Sequence, residues 1–223
     1  MITAVIVAAG SGERLGAGAP KALVELGGRP MLDWSLAALA AVPRIERLVV
    51  VLPPHSDAAA ALADGVRAVA GGPSRSHSVR AGLAACGDTH DVLVHDAARP
   101  LVTALLVETV IDRLAADELA DGAIAAAPVA DTIKRADSAG AVTDTLARAD
   151  LWAVQTPQLF RAASLRAALD VDDVTLAGAT DDAALVERIG GRIVIAPWSE
   201  PNTKVTTPAD LAAVHAVLAA REL

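Results

Sequence analysis

Strand-length apolar runs recur along this chain with helix-length patterns between them, and this rhythm limits the possible folds more than any other feature. The runs lie at 3–9, 47–52, 67–70, 91–94, 123–129 and 192–196. They are short, rich in valine and isoleucine, and read as strands covered on both faces. Helical patterns lie near 31–41, 56–64, 76–85, 103–119, 162–169 and 180–189. A last helix opens at Thr207-Pro-Ala-Asp210, with a capping threonine, a proline suited to the first turn and an acid at the positive end. Buried strands separated by helices specify βαβ units. The expected fold is α/β: one Rossmann-like, doubly wound, mostly parallel sheet with helices on both faces, spanning 1–223 as a single domain.

One region interrupts the rhythm. Between 131 and 155, two polar, β-prone segments flank the turn Asp137-Ser-Ala-Gly140. They predict a β-hairpin arm that projects from the sheet, too polar for a core element. Such an arm suits packing against a second subunit, so a homodimer is expected.

The 223 residues carry a net charge of −8 and no basic run, which argues against nucleic acid as a partner. An anionic ligand must then be held by a local cluster of cations. The single cysteine, Cys86, excludes a disulfide framework, reads as a small buried residue and fits a reducing cytoplasm. No run approaches the ~18 apolar residues of a membrane span, and the N-terminal run is too short, and lacks the charged leader, for a signal peptide. Only three of the 19 basic residues are lysines: Lys21, Lys134 and Lys204. A lysine kept in a chain that otherwise uses arginine suggests a need for a compact point charge.

The first strand empties into Gly10-Ser-Gly-Glu-Arg-Leu-Gly-Ala-Gly-Ala-Pro-Lys21. Glycines let backbone N–H groups approach a polyphosphate, and Arg14 and Lys21 add full charges. The spacing matches neither common phosphate loop. A P-loop ends in Gly-Lys-Ser/Thr, whereas Lys21 lies between Pro20 and Ala22. A dinucleotide fingerprint would need a small residue at Leu15 and an acid about 20 residues on, at the end of a second strand.

Doubly wound sheets bind ligands beyond the carboxyl ends of their strands. The segment ending His95-Asp-Ala-Ala-Arg99 delivers a carboxylate and an arginine to that edge. Asp96 can hold a divalent metal or a ribose hydroxyl there; it reads equally well as a loop cap partnered by Arg99. His95 reads as a packed, hydrogen-bonded strand-end residue. The turn Gly71-Gly-Pro-Ser-Arg-Ser-His-Ser78 offers hydroxyls and a cation at a helix N-terminus that favours an anion, or a plain capping cluster. Lys204 precedes the last helix, where a lone lysine would normally be solvated.

Together these segments resemble the 2-C-methyl-D-erythritol 4-phosphate cytidylyltransferases of the non-mevalonate isoprenoid pathway. The resemblance rests on Ala8-Ala-Gly-Ser-Gly-Glu-Arg14 with Pro20-Lys21, Val94-His-Asp-Ala-Ala-Arg-Pro100, Asp131-Thr-Ile-Lys134, Thr156-Pro-Gln158, Thr180-Asp-Asp182 and Asn202-Thr-Lys-Val-Thr206. The first of these marks only nucleotidyltransferases in general, whereas the segments 95–100, 156–158 and 202–206 are far more specific. The resemblance implies transfer of a cytidylyl group from CTP, with Mg²⁺, to the substrate phosphate, with Arg14 and Lys21 as the catalytic pair. Ala8, Ala9, Gly10, Gly12, Gly72, Arg75, Ser78 and Asp96 would bind CTP, with Asp96 also facing the metal. Thr132, Arg148, Thr156 and Lys204 would bind the acceptor, Thr132 and Arg148 reaching from the arm into a neighbouring subunit's site. Val7, Ala22 and Pro73 depart from the common pattern, Pro73 beside the cytosine pocket. A polyol-phosphate cytidylyltransferase acting on ribitol 5-phosphate, and a non-catalytic nucleotide-binding module, are the competing readings.

Overall fold

The computed structural model describes residues 1–10, 12, 15 and 20–221. Its strands are β1 (Ile2–Val7), β2 (Glu25–Leu26), β3 (Arg29–Pro30), β4 (Ile45–Leu52), β5 (Val66–Ala70), β6 (Asp91–Asp96), β7 (Gly122–Pro128), β8 (Lys134–Ala136), β9 (Val142–Thr145), β10 (Trp152–Arg161) and β11 (Ile193–Pro197). Its α-helices are α1 (Met31–Ala40), α2 (Arg75–Ala84), α3 (Ala104–Ala115), α4 (Ala162–Leu169), α5 (Asp173–Gly178), α6 (Asp182–Arg188) and α7 (Pro208–Arg221).

Seven strands form one sheet in the order β11-β7-β10-β6-β1-β4-β5. All pairings are parallel except those of β10, which runs antiparallel to both β6 and β7. The sheet is thus the expected doubly wound, mostly parallel one, with a reversed strand that the sequence reading did not separate from the arm. The order reverses between β1 and β6, so the ends of these two strands open a crevice.

Side-chain alternation divides the core. Ile2, Ala4 and Ile6 of β1 and Leu93 of β6 join Leu39 of α1 and Leu106, Val110 and Leu114 of α3. Val5 of β1 and Val92 and Val94 of β6 face the other way, onto Val79 and Leu83 of α2 and Leu165 of α4. The same period of two puts Asp96 on the α2 side of the sheet and His95 on the opposite side. A third cluster ties Leu15 of the glycine-rich loop to Leu26, Met31, Leu101, Val205 and the α7 residues Val214 and Leu218.

Two helical segments differ from the sequence expectation. Only Asp57–Ala61 of the 56–64 pattern is helical, and it is a 3₁₀ turn, capped by Ser56. The six-residue α5 is absent from the sequence reading; it is capped by Asp172, which accepts from Thr175 N–H at 2.9 Å. The hairpin is present as β8 paired antiparallel with β9, all its residues exposed, with Gly140 at φ +84° in the turn.

α2 packs against the sheet with Gly82 facing Val5 and Val51, leaving no room there for a side chain. A Cβ at Gly82 would come 2.5 Å from Val5 Cγ1 and 2.9 Å from Val51 Cγ2. Gly82→Ala should therefore lower stability by about 1–3 kcal/mol through overpacking, despite alanine's higher helix propensity. Urea unfolding measures this, and an unchanged or raised midpoint would show that α2 can shift to accept the methyl group.

Candidate active site

A cleft of about 630 Å³ lies at the crevice between β1 and β6. Its floor is the end of β1 and the start of the loop, Ala8, Ala9, Gly10 and Gly12; its far wall is the turn into α2, Gly72 to Ser78; Lys21, Asp96 and Lys204 complete it. Gly12 has φ +76°, and a Cβ there would meet Lys21 Cβ at 3.0 Å. Only glycine lets the loop fold back so closely on the lysine. The Lys21 N–H donates to Gly10 C=O at 3.3 Å, closing the loop on its own start. Arg14 lies outside the described residues.

Ser78 shapes the opposite wall. Its hydroxyl accepts from Gly72 N–H at 3.2 Å and donates to Ser74 C=O at 3.1 Å, while Ser74 caps α2 by accepting from His77 N–H at 3.4 Å. The capped N-terminus of α2 thereby borders the cleft, an environment that favours an anion. The described residues lining the cleft include three cations, Lys21, Arg75 and Lys204, and one carboxylate, Asp96. This is the local basic cluster that a chain of charge −8 needs to hold an anion.

A second cavity of about 390 Å³ adjoins the first and shares Arg75, Asp96 and Lys204 with it. Thr156 and Gln158 of β10 and Asp181, Ala183 and Ala184 around the start of α6 form its other side. The reversed strand β10 thus lines the second cavity and not the first.

The shared residues form a chain of alternating charge. Asp96 Oδ1 accepts from Arg75 Nε at 2.8 Å, and Asp96 Oδ2 accepts from Lys204 Nζ at 2.6 Å. Arg75 Nη1 also donates to Asp182 Oδ2 at 2.8 Å. Burial pushes the Asp96 carboxyl up, but Arg75 and then Lys204 outweigh it and hold the group well below the usual carboxylate range. Burial works against the charge on Arg75, yet Asp182 and Asp96 keep its pKa above the ordinary value. At Asp182 burial wins, and its pKa is raised against the pull of Arg75.

Lys204 is not solvated as a lone lysine would be. Its segment is pinned across the strand ends: Val205 N–H donates to Ala98 C=O at 2.8 Å, and Arg99 Nη1 donates to Asn202 C=O at 2.7 Å. Asn202 Nδ2 donates to Thr156 C=O at 2.9 Å and to Gln155 Oε1 at 2.8 Å. Arg99 therefore anchors the Lys204 segment rather than pairing with Asp96. Thr156 Oγ1 accepts from Asp96 N–H at 3.0 Å and lies 3.2 Å from His95 Nδ1, so the expectation of a packed, bonded His95 holds.

The structure brings Ala8, Ala9, Gly10, Gly12, Lys21, Gly72, Arg75, Ser78, Asp96 and Lys204 around the first cleft and Thr156 onto the second. Thr132 and Arg148 line neither cavity; both are exposed, and Arg148 donates to Ala130 C=O at the base of its own arm. Asp182, Gln158 and Asn202 have no role assigned by local sequence pattern. Each lay inside a motif already noted, but only the fold shows what it touches.

Comparison with known proteins decides the assignment. The family model for 2-C-methyl-D-erythritol 4-phosphate cytidylyltransferase (IspD) matches residues 2–220. The chain belongs to this family. A cytidylyltransferase of that name from Chromobacterium violaceum is 42% identical, with 98% of each chain covered. One from Streptomyces coelicolor is 46% identical over 99% of this chain and 86% of the relative. The crystal structure of the Thermus thermophilus enzyme superposes with a TM-score of 0.80 at 31% identity, covering 98% of this chain and 100% of that one. The chain is accordingly an enzyme, a nucleotidyltransferase, with the Rossmann-like sheet of its family.

The cytidylyltransferase carries a built-in pH response at His95. The side chain is fully buried, which lowers its pKa from 6.5 to about 4. As pH falls, the unfolded chain takes up this proton before the folded one does. The stability present above about pH 6.5 is therefore lost progressively toward pH 4. Urea unfolding at about pH 7 and about pH 5 should show wild type losing about 2 kcal/mol more than His95→Gln. Parallel losses in the two proteins would contradict the assignment to His95.

Proposed function

We propose that this chain transfers the cytidylyl group of CTP to 2-C-methyl-D-erythritol 4-phosphate in isoprenoid precursor synthesis, with CTP in the glycine-rich cleft and the acceptor in the adjoining cavity. The observation that carries this reading is the pair of cavities sharing one wall of Arg75, Asp96 and Lys204. Two anionic substrates can reach opposite sides of that wall and meet at its cations.

In this reading the acceptor's phosphate oxygen attacks the α-phosphorus of CTP, a new P–O bond forms, and the bond to the bridging oxygen breaks to release pyrophosphate. A phosphate nucleophile is already ionised, so no side chain need act as a base. Charge builds on the α-phosphate oxygens, and Lys21 with Arg14 would stabilise it where it develops. The backbone of Ala8, Ala9, Gly10 and Gly12, the Gly72–Ser78 turn and Asp96 would hold the nucleotide. Lys204 and Thr156 would hold the acceptor end.

Among the described residues no group of three or more His, Cys, Asp or Glu side chains could hold a metal by itself. Magnesium in nucleotide enzymes is held largely by substrate phosphates with one or two carboxylates. Asp96 fits that role, because each of its oxygens accepts one hydrogen bond and keeps a further lone pair. The ion would neutralise phosphate charge as the bond to pyrophosphate breaks.

Residues 1–223 would then act as one nucleotidyltransferase domain, with the 131–155 arm inserted for dimerisation. Thr132 and Arg148 would complete the acceptor site of a neighbouring subunit. Two features support this: both residues lie off the cavities of their own chain, and Val142 of the arm is 62% exposed. The lone, buried Cys86 and the acidic net charge suit a cytoplasmic protein that binds no nucleic acid. No helix among the described residues is long and apolar enough to cross a membrane.

Pyrophosphate release tests the proposal. CTP with methylerythritol phosphate and Mg²⁺ should give turnover, with little from UTP or with ribitol 5-phosphate. A preference for ribitol 5-phosphate would move the chain to the polyol class, and silence with every pair would leave a nucleotide-binding module.

A further inference from the structure

Asp182 is the first residue of α6 and is wholly buried, yet it is outside both cavities. Its Oδ2 takes a hydrogen bond from Arg75 Nη1, and its Oδ1 has no partner among the described residues. A buried carboxylate oxygen left unbonded is costly and calls for a reason.

Local structure does not supply one. The cap of α6 is Asp181, which accepts from Ala184 N–H at 2.9 Å. The helix docks on the core through Ala183, Leu185 and Val186, all buried. The partner explains more. Arg75 is the first residue of α2, where the positive helix end disfavours a cation, so its place there depends on anions around it. Its planar guanidinium is held at Nε by Asp96 and at Nη1 by Asp182. Because the fork is rigid, fixing Nη1 fixes the direction of Nε. That in turn sets the Asp96 carboxylate, leaving Oδ2 turned to Lys204.

We propose that Asp182 is a positioning residue for cytidylyl transfer: it holds Arg75 from behind and thereby sets Asp96 and Lys204 in the wall between the two substrates. The proposal rests on the two-substrate reading above. Asp182 touches neither substrate and acts only through the arginine.

A double-mutant cycle tests it. Asp182→Asn, Arg75→Ala and the double variant are compared with wild type by kcat/KM for pyrophosphate release, with thermal melting as the fold control. Asp182→Asn should lose about tenfold or more, and the double variant should be no worse than Arg75→Ala alone, because the two residues act as one unit. Losses that multiply, or an Asp182→Asn variant within about twofold of wild type, would overturn it. If Asp182→Asn does not fold, Asp182→Glu keeps the charge but displaces the fork; it should lose about tenfold, and wild-type turnover would overturn the proposal. Should wild type itself be silent, the functional reading fails alone. The crystal structure of Asp182→Asn then decides: a reoriented Asp96 carboxylate supports the proposal, and an unmoved one overturns it.

Discussion

The Asp96 carboxylate, gripped at one oxygen by Arg75 and at the other by Lys204, is the contact on which the rest of the site depends. It joins segments 21 and 108 residues away, and Arg75 reaches a further partner 107 residues on. The two buried carboxylates, Asp96 and Asp182, depend on the less buried cations beside them. Removing one member of a buried pair typically costs about 3–5 kcal/mol, because the survivor is left uncompensated. The chain of alternating charge therefore stands or fails as a unit. Its position follows from sheet order, since the reversal between β1 and β6 opens an edge where α2, the end of β6 and the segment before α7 converge.

The reversed strand gives this edge its second side. β10 lies antiparallel between β6 and β7, and its Thr156 and Gln158 face the second cavity. The Lys204 segment is laced to β10 through Asn202 and to the β6 turn through Arg99 and Val205. A lysine on a loop is normally free to move; this one is placed by hydrogen bonds on either side of it. Close helix packing does the same for Arg75, because Gly82 allows α2 to press onto Val5 and Val51.

Much of this was legible in the sequence. The runs that became β1, β4, β6 and β7 were plain because strands buried on both faces read as continuous apolar stretches, and the edge strands β5 and β11 were plain from their β-branched residues. β10 was hidden because its first half is largely exposed while only 156–160 is fully buried, so its beginning merged with the arm. The 56–64 pattern has helical composition, but alanine without a large apolar stripe has little to dock, and only a 3₁₀ turn forms. Lys204 looked solvated because its partner lies 108 residues away, a separation no local pattern encodes. Asp182 was visible only as part of a motif, since a buried acid cannot be told from a helix-starting one by sequence alone.

In the proposed reaction Asp96 organises the cations between nucleotide and acceptor, and every other role in the site follows from that. Pyrophosphate release by Asp96→Asn, a change that keeps shape and removes charge, measures this most directly. The expected result is a fall in kcat/KM of about 10²-fold or more with the circular dichroism spectrum unchanged, on the scale of losing a transition-state electrostatic contact. Turnover within about twofold of wild type would contradict it.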